Sequence, residues 1–174
     1  DNRLFIKVYY EHTLFNDDDS KVQVVYTVDT LGKVTVDLEY QPTGKVIEPP
    51  QFGYMMTLNK TFENVIYFGY GPEENYVDRQ EGTKLGIYEF NVDDIFTPIL
   101  MPQECVNRCG CREFVLEDEK HHQLLITSDV FECSALRYTP TEIDNAKHDA
   151  ELPAPYQTVV RINLAQMGIA GDNT

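Results

Sequence analysis

Val34-Thr35-Val36-Asp37-Leu38-Glu39-Tyr40 alternates apolar and polar residues without a break. Successive strand side chains point to opposite faces, so Val34, Val36, Leu38 and Tyr40 share one face. The period is two rather than 3.6, and the β-branched residues suit a pleated backbone. A half-buried strand is expected there. Upstream, Asp29-Thr30-Leu31-Gly32 reads as a turn and residues 22–28 as a second strand. Asn16-Asp17-Asp18-Asp19-Ser20 reads as a polar turn, and residues 4–10 as a first strand. Downstream, Pro49-Pro50 breaks the chain. Strands are expected at 53–58, 65–70 and 85–92, with a polar loop over 71–81. Further strands are expected at 114–116, 124–128, 134–138 and 159–164.

One helix signal stands out. Thr139-Pro140-Thr141-Glu142 places Thr at the N-cap, Pro at the first helical position and Glu at the third, which is a capping box. The helix is expected to run to about His148, and Leu152-Pro153-Ala154-Pro155 prevents its extension. Many short strands and one helix near 140–148 predict an all-β, antiparallel sandwich or barrel. No repeat or low-complexity tract divides residues 1–174, so a single domain is expected.

The 174 residues carry 29 Asp+Glu against 14 Lys+Arg, a formal charge of −15. Phosphate binding needs a basic face, so DNA and RNA are disfavoured as partners, and so is an anionic membrane surface. No apolar stretch approaches the ~20 residues of a spanning helix. Eleven Tyr and nine Phe argue against a disordered acidic tail. The sequence opens into a strand pattern and closes on Gly171-Asp172-Asn173-Thr174, so it reads as a portion of something longer. The absence of a targeting signal is then uninformative.

The four cysteines are Cys105, Cys109, Cys111 and Cys133. A metal cluster completed by His121 or His122 is conceivable, but no second cysteine pair follows. A chain of this size does not need disulfide staples. Free thiols in a reducing compartment are expected. The acidic run 16–20 lacks the spaced ligands, Gly and terminal Glu of a calcium loop. The serines lack a G-x-S-x-G context. Gly168-Ile169-Ala170-Gly171 leads into no helix, so a dinucleotide loop is not expected. Carboxylate pairs such as Glu73-Glu74 or Glu117 with Glu119 read as charged surface. Taken alone, these residues describe an acidic all-β domain without catalytic chemistry of its own.

Four co-linear segments then become informative. Gly69-Tyr70-Gly71-Pro72-Glu73-Glu74-Asn75-Tyr76-Val77-Asp78-Arg79 is the first. Phe96-Thr97-Pro98 with Pro102-Gln103-Glu104 and Asn107-Arg108-Cys109-Gly110-Cys111-Arg112-Glu113 is the second. Ser134-Ala135-Leu136-Arg137-Tyr138 with the capped helix and His148 is the third, and Gln166-Met167-Gly168-Ile169-Ala170-Gly171-Asp172-Asn173 is the fourth. Together they resemble the C-terminal domain of family 2 β-galactosidases, which also lies in the small subunit of the two-chain forms. The resemblance runs from about Leu4 to Thr174. It departs at Cys105-Val106, where the family has Asn-Gly, and at Ala170, where it has Gly. The family continues with Ser-Trp, whose Trp belongs to the sugar site, and this sequence contains no Trp.

The resemblance implies a galactose-mutarotase-like antiparallel β-sandwich, represented here in part. It implies a parent that is a retaining glycosidase acting on terminal β-D-galactosides such as lactose. The parent's two catalytic Glu lie in a TIM-barrel domain, and its magnesium and sodium sites belong mainly to that side. No catalytic or metal-binding residue is therefore expected in this chain. The domain is expected to close one side of the pocket, with Gly168, Gly171, Asp172 and Asn173 near substrate. Glu74, Asn75, Tyr76, Asp78, Arg79, Arg108, Arg112, Arg137 and His148 are expected to hold its shape. An independent carbohydrate-binding or assembly module is the alternative. A homo-oligomer is expected from unpaired strand edges, and a cytoplasmic parent, with the periplasm left open.

Overall fold

The computed structural model describes residues 4–14, 17–43, 49–96 and 101–166. The fold is all-β and sandwich-like, with antiparallel pairing throughout and, among the described residues, two short helices. Two compact units make up the chain, Asp1–Pro49 and Pro50–Thr174.

The first unit is a three-stranded meander of β1 (Phe5–Leu14), β2 (Asp17–Asp29) and β3 (Val34–Gln41). The alternation of β3 decides its faces. Val34, Val36, Leu38 and Tyr40 pair with Val28, Tyr26, Val24 and Val22. Those residues pair in turn with Ile6, Val8, Tyr10 and His12 of β1. Register thus collects the apolar residues on one side, and a one-residue slip would turn them all outward. The β2–β3 turn matches the sequence reading. Gly32 takes φ +83, and Asp29 Oδ1 accepts from Leu31 N at 2.8 Å and Lys33 N at 3.0 Å. The expected turn at 16–20 is corrected. Asp17–Ser20 belong to β2, because a register shift between Thr13 and Leu14 lets Leu14 pair with Asp17.

The second unit is a six-stranded sheet. Its strands are β4 (Gln51–Asn59), β5 (Asn64–Gly71), β6 (Lys84–Asn91), β7 (Arg108–Glu117), β8 (Gln123–Leu136) and β9 (Gln157–Gln166), in the order β4-β9-β8-β7-β5-β6. One core cluster draws Val65, Tyr67, Phe114 and Leu116 from one half of the sheet and Phe131, Ala135 and Val160 from the other. Met56, Leu58 and Ile162 pack against it. Strands from both halves of the sheet thus contribute to one buried apolar cluster. Each fully buried large apolar side chain contributes roughly 1.5–3 kcal/mol.

Several boundaries differ from the sequence reading; the strand expected at 114–116, for one, already begins at Arg108. The strands expected at 124–128 and 134–138 are one strand, β8; its middle, Thr127–Val130, is exposed on both faces and so shows no apolar period. Helix α2 (Pro140–Asn145) carries the expected capping box, with Glu142 N on Thr139 Oγ1 and Thr139 N on Glu142. It ends at Asn145 rather than near His148, because the backbone becomes extended at Ala146, whose side chain is buried. A one-turn helix, α1 (Val92–Ile95), stands where strand was expected at residue 92. Asn91 caps it by accepting from Asp93 N at 2.9 Å.

Candidate functional site

The loop 72–83 folds onto the segment entering β7 through a run of buried polar contacts. Asn75 is fully buried. Its Nδ2 donates to Tyr70 O at 2.9 Å and Glu73 O at 3.0 Å, while its Oδ1 accepts from Cys109 N at 2.8 Å. Its backbone N donates to Asn107 O at 2.9 Å, and Asn107 Nδ2 returns a bond to Asn75 O at 3.0 Å. Glu74 accepts from Val106 N at 2.7 Å and from Arg79 at 3.0 Å. Tyr76 is fully buried. Burial, with the charges of Glu74 and Glu104, drives its phenol far above the usual range, so it stays neutral and accepts from Asn107 N at 3.5 Å.

Of the nine residues expected to hold the domain's shape, five meet here: Glu74, Asn75, Tyr76, Arg79 and Arg108. Arg108 donates to Tyr67 Oη at 3.0 Å and Asn107 O at 3.1 Å, and its guanidinium lies within 6 Å of the Tyr67 and Phe90 rings. Arg112 is the neighbour on β7, donating to Gly110 O at 2.8 Å over the Phe68 ring. Arg137 sits elsewhere. It is buried and binds Asp93 at 2.6 and 2.8 Å, Lys60 O at 2.7 Å and Thr158 Oγ1 at 2.7 Å. His148 is exposed before a 3-10 turn at 149–151, and Asp78 lies in the exposed tip of the 72–83 loop. Gly168, Gly171, Asp172 and Asn173 lie outside the described residues, as does Met167.

Sequence reasoning missed a second set. Glu104 and Arg161 form a bidentate ion pair at 2.6 and 2.8 Å, 57 residues apart in the chain. Glu132 accepts from Asn107 Nδ2 at 2.8 Å. Burial raises its carboxyl above the usual range, and the charge of Glu104 adds to this. Asn163 accepts from Gln51 Nε2 at 2.6 Å and donates to Gln166 Oε1 at 2.9 Å. These pairs carry no local spacing; the only sequence hint was polar residues interrupting otherwise apolar strands. Asn107 Oδ1 is buried without a hydrogen-bond partner, in a segment where Val106 takes φ +72.

All four cysteines are free and buried. Burial raises the Cys109 thiol to about 11 and Cys111 to about 12, with Cys133 well above its usual value. Among the described residues no group of three or more His, Cys, Asp or Glu is placed to hold a metal ion. His121 and His122 instead pair with Glu117 at 2.8 Å and Asp118 at 2.9 Å on an exposed hairpin.

The model of the beta galactosidase small chain matches residues 2–174. The chain belongs to the β-galactosidase small-chain family. It is 40% identical over 171 residues to a β-galactosidase of Streptococcus thermophilus, 97% of this chain and 17% of the relative. It is 34% identical over 152 residues to that of Priestia megaterium, 87% of this chain and 15% of the relative. It is 38% identical over 152 residues to that of Lactobacillus delbrueckii subsp. bulgaricus, with the same shares of 87% and 15%. A small-chain family member of this length thus spans about one sixth of its curated relatives. The polar knot joining Glu74–Arg79 to Asn107 and Cys109 falls within two of the four segments that suggested the family.

Proposed function

We propose that this chain is the part of a retaining β-galactosidase that supports and closes one side of the pocket for terminal β-D-galactosides, without contributing the catalytic glutamates. The observation that carries the reading is that nearly the whole chain matches β-galactosidases while spanning about 17% of such a relative. Such an enzyme needs two free carboxyl groups about 5–5.5 Å apart across a bond-cleaving cleft. Here the inward carboxylates have other partners: Glu74 holds Val106 N and Arg79, Glu104 holds Arg161, and Glu132 holds Asn107. That pattern supports a bracing role for these carboxylates. The residues assigned to substrate are Gly168, Gly171, Asp172 and Asn173, on the segment that follows β9. The magnesium and sodium of the parent are assigned to its catalytic domain, and no role of this chain runs through them.

The test is hydrolysis of a chromogenic β-galactoside by the chain alone and mixed with a parent lacking this segment. No turnover alone and restored turnover on mixing are expected. Robust turnover by the chain alone would overturn the reading.

A further inference from the structure

Asn107 is fully buried, yet its Oδ1 has no hydrogen-bond partner. Turning the amide over does not cure this. Its Nδ2 faces three acceptors: Asn75 O at 3.0 Å, Glu132 Oε2 at 2.8 Å and Cys109 Sγ at 3.6 Å. A reversed amide would set its oxygen against two other oxygens. The group missing from the knot is therefore a donor at Asn107 Oδ1, and a buried acceptor left unmade is costly.

Glu132 of β8 can supply that donor. An ionised carboxylate only accepts, but a protonated one carries an O–H as well. With Oε2 on Asn107 Nδ2 and its hydroxyl on Asn107 Oδ1, acid and amide make a ring of two hydrogen bonds. The surroundings favour the neutral acid. Burial opposes the charge most strongly, and the carboxylate of Glu104 opposes it further. Among the described residues Glu132 forms no ion pair, and Arg161 of β9 is spent on Glu104 through two bonds. Hydrogen bonds from Asn107, Cys109 and the Gln166 main chain pull the other way, and the carboxyl still ends above its usual range. The titratable groups of β7 that feel it, Cys109 and Cys111, are raised thiols and carry no charge at neutral pH. The loop 72–83 brings the uncharged Gln80 to Cys109 and the neutral Tyr76 towards Glu104.

We propose that Glu132 and Asn107 form a proton-operated latch between β8 and the segment entering β7, in which one proton taken from solvent lets the Glu132 hydroxyl donate to Asn107 Oδ1. The latch does not depend on the function proposed above. It acts on the whole knot, because Asn107 also holds Asn75 O, and Asn75 Oδ1 holds Cys109 N. The sign follows from linkage. A carboxyl whose folded value lies above its unfolded one stabilises the fold fully below about pH 4.3, and that contribution is lost as pH rises through the folded value. The latch is closed in acid and open in base.

The experiment has two arms, both on the full chain. In the first, urea unfolding of wild type and Glu132→Gln is compared from about pH 4 to about pH 9. Gln fixes the neutral form, since its amide can make both bonds at every pH. The difference in unfolding midpoint should grow in favour of Glu132→Gln as pH rises. A difference that stays constant, or that moves in favour of wild type, would overturn the proposal. The second arm uses wild type alone and so holds even if Glu132→Gln fails to fold. The carboxyl carbon of Glu132, followed by NMR, should titrate above the ordinary value of about 4.3, and the Asn107 Nδ2 protons should shift with the same midpoint. A Glu132 carboxyl that titrates at or below the ordinary value, or an Asn107 amide that does not follow it, would equally overturn the latch.

Discussion

Val106 has a positive φ of 72° and is almost fully buried against Cys105, Leu136 and Ile143. A β-branched residue in the left-handed region is strained, at a cost of order 1–3 kcal/mol. A Gly would take that backbone without strain. Two opposing terms follow. The Val side chain fills the core, worth roughly 1.5–3 kcal/mol, while its Cβ strains the turn. Val106→Ala loses the packing and keeps the strain; Val106→Gly loses both. Val106→Gly should therefore be more stable than Val106→Ala by about 1 kcal/mol in urea unfolding. This reverses the usual order, in which Gly is the worse residue. If Ala proved equal or better, the turn would not have the left-handed backbone described. The strain persists because Glu74 holds Val106 N and Tyr76 and Asn75 hold Asn107 on either side of the peptide.

At the scale of elements, the single turn α1 is too short to stand alone. It survives because Asn91 caps its start and Arg137 of the chain just past β8 grips Asp93. Arg137 also ties Lys60 O and Thr158 Oγ1, so one guanidinium joins the β4–β5 turn, α1 and β9. Arg137→Met should cost about 3 kcal/mol, the low end for breaking a buried pair, since Asp93 is half-exposed and can rehydrate. The same pair has a pH signature. The hydrogen bond from Arg137, aided by its charge, lowers the Asp93 carboxyl below its usual range against the opposing effect of burial. A lowered folded-state pKa adds stability above the unfolded value of about 3.9, and that stability is lost as pH falls through the folded value. The stability gap between wild type and Asp93→Asn should be full above about pH 5 and close as pH drops below about 4. A gap that stayed constant to pH 2 in denaturant titrations would remove Asp93 from this role.

For the molecule as a whole, the six-stranded sheet of Pro50–Thr174 carries a buried core that holds Cys111 and Cys133, with Cys105 in a second buried cluster. Thiolate, not thiol, is the reactive form. The folded chain should therefore react with a thiol reagent at neutral pH far more slowly than the unfolded chain. Labelling of Cys111 and Cys133 should follow global opening, accelerating with urea in step with unfolding. Fast labelling of Cys133 without unfolding would contradict the closed core. The first unit differs in kind, for its three strands gather one apolar face from register alone, and Ile6 on that face stays 67% exposed.

Local chemistry made much of this legible beforehand. The alternation of residues 34–40, the Asp29–Gly32 turn and the Thr139–Glu142 capping box each act within a few residues, so the sequence alone determined them. The four motif segments were equally readable, and they carried the family. What the tertiary structure decided is everything that depends on contacts between distant residues. Glu104 meets Arg161 across 57 positions, and Asn107 meets both Asn75 and Glu132. Leu164 is an unpaired bulge residue only because β4 sets the register of β9. Periodicity cannot report such features, because a bulge is the place where periodicity fails. A buried polar side chain likewise gives no sign, in sequence, of which partner will make its burial affordable.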